Sequence, residues 1–379
     1  MELPRPDPDR PHLADVTPAV LTAMGVGGFR SRLQLPGDVA GACVLLVDGL
    51  GADLLERYAA DAPVLAAMRR QTLQVGFPST TAAGLAAVGT GCRSGEHGMV
   101  GMSFMLPDVG LINALRWRPQ PWGEDLRSTA VPEEVQPRPT VFERAESAGV
   151  AVSVISGAQF AGSGLTRAVL RGGQFIGVHA LGDLAAAVTT VIADRGFCYG
   201  YHADLDLVGH LHGPGSPAWR FELRQVDRLV ESVVDELPSG GLLAVVADHG
   251  MVHLDPDETV DADSTDALLD GVAALGGEVR ARHVYVRDGA LDDVLETWRA
   301  VLGSRAWVVG RDDAVAAGWF GPRVDDVVLK RVGDVVAAMR GTAGVLRKTV
   351  EPIESSLVGQ HGSLTDAEQQ VPLLTAVGD

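Results

Sequence analysis

Cysteine is scarce in this chain: Cys43, Cys92 and Cys198 are the only three in 379 residues, far apart and in no metal-finger spacing. That excludes a disulfide framework and a thiolate zinc finger, and a reducing, cytoplasmic compartment is expected. Aromatics are sparse at 5%, against 46% apolar residues overall, so a large core has to be built from Ala, Val and Leu. The apolar share rules out disorder of the whole chain. Positive charge is in deficit, with 31 Lys+Arg against 49 Asp+Glu and a net charge of −18. General binding to nucleic acid or to anionic membranes is excluded, because such binders neutralise phosphates with clustered cations. No run approaches about 18 uncharged apolar residues. The opening MELPRPDPDRPHLADVTP carries acids and prolines where a signal peptide needs a basic start and an apolar stretch, so a soluble protein is expected.

Buried-strand patterns, by contrast, are plentiful. From Ala42, ACVLLVDGLGADLLERY passes from a continuous apolar run through Asp-Gly into a helical pattern, the way a buried parallel strand delivers a loop and a helix. Similar signals recur at AVSVIS (151–156), GFCYGYH (196–202), GLLAVVADHG (241–250) and VPLLTAV near the end. The clearest helix comes after Ser216 and Pro217 and repeats Trp219, Leu223, Val226, Val230, Val233 and Leu237 at helical spacing, a core stripe. Strands alternating with helices predict an α/β fold with a mostly parallel central sheet, helices on both faces, and ligands at the carboxyl ends of the strands. Residues 1–35 read as an N-terminal arm, extended on the surface or loose to about Pro18, and residues 36–379 as one α/β domain. Two segments interrupt it. About 102–139 holds Pro119, Pro121, Pro132, Pro137 and Pro139 with Trp117 and Trp122 and is expected as an irregular lid; about 253–345 is expected as a small inserted α+β subdomain.

The polar residues that stand just after apolar strands would converge on one edge of such a sheet. They are Asp48, Asp206 with His210, and Asp248 with His249; His361 in GQHGS precedes the final strand signal. Each has an ordinary explanation alone. Asp48 can cap a helix, Asp206 and His210 can pair across a helical turn, and His249 and His361 can be core histidines satisfied by the backbone. As a set, three carboxylates and three imidazoles offer oxygen and nitrogen ligands suited to Zn²⁺ or Mn²⁺, and six groups exceed the needs of one tetrahedral ion. Two divalent metal ions are expected.

A second segment, GFPSTTAAGLAAVGTGCRSGEHGMVG (76–101), stops an extended run at Pro78-Ser79 and places Thr80 and Thr81 where an Ala/Gly-rich helix begins. Their hydroxyls stand at the positive end of that helix, where an ordinary N-cap is the common role. Beside a dinuclear metal site, a hydroxyl also becomes a candidate nucleophile. The P-loop, HExxH and GxSxG patterns are absent.

The order VDGLGADLL, PSTT with TG nine residues on and HG after it, DLVGHLHGP, ADHGM and GQHG resembles the alkaline phosphatase superfamily, within it the type I phosphodiesterase/nucleotide pyrophosphatase branch. The resemblance covers residues 41–101, 198–250 and 355–375. It implies that Asp48, Asp248 and His249 hold one zinc together with the nucleophile, and that Asp206, His210 and His361 hold the second. The nucleophile it implies is Thr81, counted back from Thr90, with Thr80 the alternative because the paired threonines blur the register by one. The implied reaction is hydrolysis of a phosphodiester or pyrophosphate bond in a small phosphate ester through a covalent threonine intermediate, with zinc the first choice of metal and manganese the second.

Where nucleotide-cleaving members resemble HGIIDN after the TG loop, this chain reads HGMVGM, so Met102 stands at the position of an asparagine that contacts a phosphate oxygen. Asn113 is the expected substitute, reaching back from the neighbouring insertion. The alternatives are a phosphomonoesterase or phosphomutase of the same superfamily, whose opening VDGLG also resembles, and a non-catalytic metal- or nucleotide-binding module, whose mark would be a missing ligand; none is missing.

Overall fold

The structure is a computed structural model that describes residues 2–379. The apolar run after Ala42 becomes strand β1 (Gly41–Val47), buried at every position and central in a seven-stranded sheet. Such a strand has no solvent face, which is why its sequence is continuous rather than alternating. The other strands are β2 (Arg69–Gln74), β3 (Val152–Gly157), β4 (Gln174–Val178), β5 (Phe197–His202), β6 (Gly241–Val246) and a last strand, Gln370–Val377. Across the sheet the order is β2, the last strand, β6, β1, β5, β3, β4. The run from β6 to β4 is parallel, and only the last strand runs against its neighbours. The α/β class and the mostly parallel sheet are as expected. Cys43 and Cys198 lie in register on β1 and β5, buried and reduced.

The helices that matter for the site are α1 (Val16–Ala23), α2 (Thr81–Thr90), α3 (Leu181–Ala193), α4 (Asp204–His212) and α5 (Pro217–Asp235). In α5 the Ser216 hydroxyl accepts from the Trp219 N–H, and Trp219, Leu223, Val226, Val230 and Val233 are buried on one face. The opening of the chain departs from a loose arm. Leu13, Val16, Val20 and Leu21 are fully buried in the main core. The prolines before Leu13 mask a short apolar helix that is amphipathic enough to dock.

Within 102–139, three short antiparallel strands form (Ser103–Leu106, Gly110–Asn113 and Arg118–Pro119), and Trp117 is buried while Trp122 is exposed. Within 253–345, strands β7 (Val272–Glu278), β8 (Ala281–Val286), β9 (Ala306–Gly310) and β10 (Val335–Met339) form an antiparallel sheet ordered β7-β8-β10-β9. With that numbering the last strand of the main sheet is β11. Helix α6 (Leu291–Leu302) packs Trp298 into a separate apolar core beneath the four strands. Among the described residues, no helix is long and apolar enough to cross a membrane.

Candidate metal centre

Parallel strands end together, so the loops leaving them meet at one edge of the sheet. Asp48 stands directly after β1, α4 with Asp206 and His210 comes after β5, and Asp248 and His249 come after β6. Gly49 turns the chain after Asp48 with φ +75°, and its backbone passes so close to Asp206 that a Cβ would lie 3.0 Å from Oδ1; the Asp-Gly pair is therefore a spatial requirement. His361 arrives from the segment ahead of β11, where Gly359–Gln360 pairs with Val252–His253.

All six sequence-derived ligand candidates gather with Thr81. The His249 Nε2 lies 3.3 Å from Asp48 Oδ1, 3.6 Å from Asp248 Oδ2 and 3.3 Å from the Thr81 hydroxyl. The His210 Nε2 lies 3.2 Å from Asp206 Oδ2 and 3.3 Å from His361 Nε2, and the last is 3.9 Å from Asp206 Oδ1. His249 and His361 stack, with centroids 3.5 Å apart and planes 12° apart, so the two halves share a wall. Ligand atoms of Asp48, Asp248 and His249, and of Asp206, His249 and His361, each fall within 4.8 Å of one another. His249 thus faces both groups.

The other ring nitrogen of each histidine sets its tautomer. The Nδ1 atoms of His210, His249 and His361 lie 2.7, 3.0 and 2.9 Å from the carbonyl oxygens of Gly359, Gly250 and Ser79. A carbonyl only accepts, so each Nδ1 carries a proton and each ring, in its neutral form, presents an Nε2 lone pair to the centre; Asp206 raises His210, so without a metal that ring also favours a second proton at Nε2. Two such lone pairs facing at 3.3 Å cannot hydrogen-bond to each other. Two nitrogens on one tetrahedral zinc, each about 2.0–2.1 Å away, stand roughly 3.3 Å apart.

Asp248 and Asp48 repeat the pattern, each spending one oxygen on the protein and keeping one back. Asp248 Oδ1 accepts from the N–H groups of Gly49 and His249 at 3.2 and 3.1 Å, Asp48 Oδ2 accepts from the Tyr201 hydroxyl, and Asp206 Oδ2 faces His210. Asp48 Oδ1, Asp206 Oδ1 and Asp248 Oδ2 are buried with no hydrogen-bond partner. Three orphaned anionic oxygens in one place are costly unless a cation meets them. Burial, and then the charges of Asp248 and Asp206, push the Asp48 carboxyl well above its usual range. Burial also raises Asp248. Burial pushes Asp206 up, but His210, His361 and His249 together hold it below the usual carboxylate range, and burial together with His249 holds His361 well below the usual imidazole value. The residues fit divalent cations on their own chemistry.

The two threonines part company here. Thr81 begins α2 and turns its hydroxyl to His249. Thr80 is the N-cap residue, buried, makes no side-chain cap, and lies on the side of Glu278. Asn113 does not reach the centre. Its Oδ1 accepts from Leu115 and Arg116 N–H at 3.1 and 3.0 Å and its Nδ2 donates to Gln120 at 3.0 Å, so both ends serve the loop's own turn. Met102 gives its backbone N–H to Glu278 Oε2 at 3.1 Å. Tyr201 and Glu278 are the residues that sequence reasoning missed. The GFCYGYH strand signal contained the tyrosine, but nothing in it marks which face looks at Asp48.

A family model described as type I phosphodiesterase / nucleotide pyrophosphatase matches residues 42–364. Phosphopentomutase of Anaeromyxobacter dehalogenans strain 2CP-C is 30% identical over 157 residues, 41% of this chain and 38% of the relative's length. Murine ectonucleotide pyrophosphatase/phosphodiesterase 5 superposes with a TM-score of 0.69 at 16% identity, covering 88% of this chain and 87% of the other. A second structure of that protein, an inactive threonine-to-alanine variant in complex with AMP, gives 0.67. Phosphonoacetate hydrolase of Sinorhizobium meliloti, in complex with phosphonoformate, gives 0.66 at 18% identity, covering 88% of this chain and 89% of the other.

Proposed function

The chain belongs to the type I phosphodiesterase / nucleotide pyrophosphatase family, and from that premise we propose that it hydrolyses a phosphodiester or pyrophosphate bond in a small phosphate ester through a covalent threonine intermediate. The observation that carries the reading is the meeting of three Nε2 lone pairs and three orphaned carboxylate oxygens beside the Thr81 hydroxyl. Asp48, Asp248, His249 and Thr81 would hold one divalent cation and Asp206, His210 and His361 the other, zinc by preference and manganese second, since the donors are nitrogen and carboxylate oxygen without thiolate. When bound, such a pair lowers the pKa of a coordinated hydroxyl and neutralises charge on the attacking and leaving oxygens.

Thr81 supplies the attacking oxygen. Its oxygen forms a bond to phosphorus as the bond to the leaving oxygen breaks and the hydroxyl proton is lost, the leaving group departing as an alcohol or phosphate. Water then cleaves the threonine–phosphorus ester, restoring the hydroxyl and releasing the other half of the substrate as a phosphate monoester. The first-turn N–H groups of α2 point toward the developing negative charge at its tip. The carbonyls of Ser79, Gly250 and Gly359 keep the three imidazoles in one tautomer through the cycle. Two solved relatives were captured with AMP and with phosphonoformate, and one is inactive when a threonine becomes alanine; these support small phosphoryl or phosphonyl substrates and a threonine role here.

The partial identity with a phosphopentomutase favours a second reading, phosphomonoester chemistry or phosphoryl transfer between positions of one sugar phosphate. Bis-p-nitrophenyl phosphate and p-nitrophenyl phosphate, assayed side by side with zinc-loaded and manganese-loaded protein, separate the two. Higher kcat/KM on the diester is expected, and preference for the monoester overturns the primary reading.

A further inference from the structure

One buried carboxyl next to the threonine pair belongs to none of the ligand groups. Glu278 ends β7, and the inserted sheet carries it to the main domain. Three contacts fix its position. Oε2 accepts from the Met102 N–H at 3.1 Å, and one residue earlier on the same strand the Gly277 carbonyl accepts from the Ser103 hydroxyl at 2.9 Å. On its other side the carbon chain packs on Gly362, directly after His361, where an added Cβ would come within 2.7 Å of Cγ and 3.2 Å of Oε1. Thr80 lies against the same carboxyl. Oε1 is buried and has no well-formed hydrogen bond.

The charged groups around it do not neutralise it. Arg282 is the cation facing it, but that guanidinium is spent on Glu351 at 2.9 Å and on the Val345 carbonyl at 2.7 and 3.1 Å, and the other charged neighbour is the acid Glu368. Burial pushes the Glu278 carboxyl up to about 7, with Thr80 and the Met102 N–H pulling the other way, so above pH 8 it is an anion. Met102 brings no side-chain donor to this place. A phosphoryl group held at Thr81 therefore has an acceptor, not a donor, on the Thr80 side.

We infer that Glu278 is a specificity-determining residue that selects substrates by charge, its carboxylate disfavouring a dianionic phosphoryl group (a monoester) relative to a monoanionic one (a diester or an internal phosphate of a pyrophosphate). The inference rests on the proposed reading of Thr81 as the phosphoryl site. It deepens that reading by naming what enforces the preference, and it links the choice of substrate to the insertion and not to the ligand set.

Binding without turnover tests it. Metal-loaded Thr81→Ala, which keeps the site but lacks the attacking hydroxyl, and the double variant Thr81→Ala/Glu278→Gln are titrated calorimetrically at about pH 8.5, above the titration of Glu278, with phenyl phosphate as the dianion and diphenyl phosphate as the monoanion, every Glu278 variant being made in the Thr81→Ala background. The glutamine variant should bind phenyl phosphate about tenfold tighter or better, the size of effect one extra like-charge pair produces in a partly buried site, with diphenyl phosphate changed by less than about threefold. Glu278→Asp, which keeps the charge, should keep the preference of Thr81→Ala alone. Equal shifts for both ligands, no shift, or an aspartate variant that behaves like glutamine overturns the inference. Should Glu278→Gln not fold, by circular dichroism and metal content, Glu278→Ser removes the same charge and takes its place in the comparison. Turnover of the diester by wild type, measured in parallel, reports on the hydrolase reading separately, because charge-selective binding in a protein that cleaves no ester would sink that reading alone.

Discussion

At the scale of single residues, the site turns on which hydroxyl and which hydrogen bonds face the cations. Thr81 and Thr80 are adjacent in sequence, yet the start of α2 sends one hydroxyl to His249 and leaves the other on the Glu278 side. Thr81→Ala is expected to cut kcat on a diester by about 10³-fold or more while zinc content by elemental analysis stays near wild type. Thr80→Ala should cost less than about tenfold, and the reverse ranking would move the nucleophile by one residue. Tyr201 acts one step further out. Its hydroxyl occupies one oxygen of Asp48 and thereby leaves the other free. Tyr201→Phe removes that restraint with almost no change of shape, so metal affinity should fall about 10- to 100-fold, read by competition with a chromogenic chelator. Unchanged affinity would show that Asp48 needs no such orientation.

Among the elements, α2 is built for close approach. Gly84 faces Asp248, and a Cβ there would sit 2.3 Å from the Asp248 Cβ. The Ala/Gly-rich composition of TAAGLAAVG thus lets a helix tip press against the end of β6, which larger residues would forbid. Gly84→Ala improves intrinsic helix propensity, yet the clash should destabilise the protein by about 1–3 kcal/mol and weaken metal binding; thermal unfolding and metal titration check both. A stabilised variant with normal metal affinity would mean that the helix can shift freely. The elements also show where sequence reading ends. The central strands β1, β5 and β6 were legible because burial on both faces writes a continuous apolar run, and the polar residues after them were legible as a group for the same reason. The edge strands β2 (RRQTLQ) and β4 (QFIGV) were not, since partly exposed strands carry polar or broken patterns that resemble loops. Glu278 was illegible because its partners, Met102 and Gly362, lie far away in the chain. So was the engagement of Asn113 in its own turn, which depends on a loop closing on itself.

Taken whole, the molecule stores like charges at one edge of its sheet and ties the insertion to that edge with fully buried ion pairs, Arg280 with Glu368 at 2.6 Å and Arg282 with Glu351 at 2.9 Å. The metal-free protein must therefore respond to pH in a definite direction. Asp48 and Asp248 are raised by burial in the folded state, and Glu278 is raised to about 7, so their contribution to stability is complete below the ordinary carboxyl values and is lost as pH rises through the folded ones. His361 is depressed, so its contribution is present above the ordinary imidazole value of 6.5 and is lost as pH falls. From about pH 6.5 to 8 the His361 contribution is largely in place, while His210, raised by Asp206, and the raised carboxyls all lose stability as pH rises. The unfolding midpoint of chelator-treated protein should fall across that window. Divalent metal reverses the trend, because it binds the deprotonated ligands and stabilises the folded state by about 2.7 kcal/mol at a hundred times its Kd. The gap between metal-loaded and chelated midpoints should accordingly be wider at pH 8 than at pH 6.5, in parallel thermal scans at fixed free zinc. A gap that is constant or narrows with pH would mean that the three orphaned oxygens are not where the cations bind.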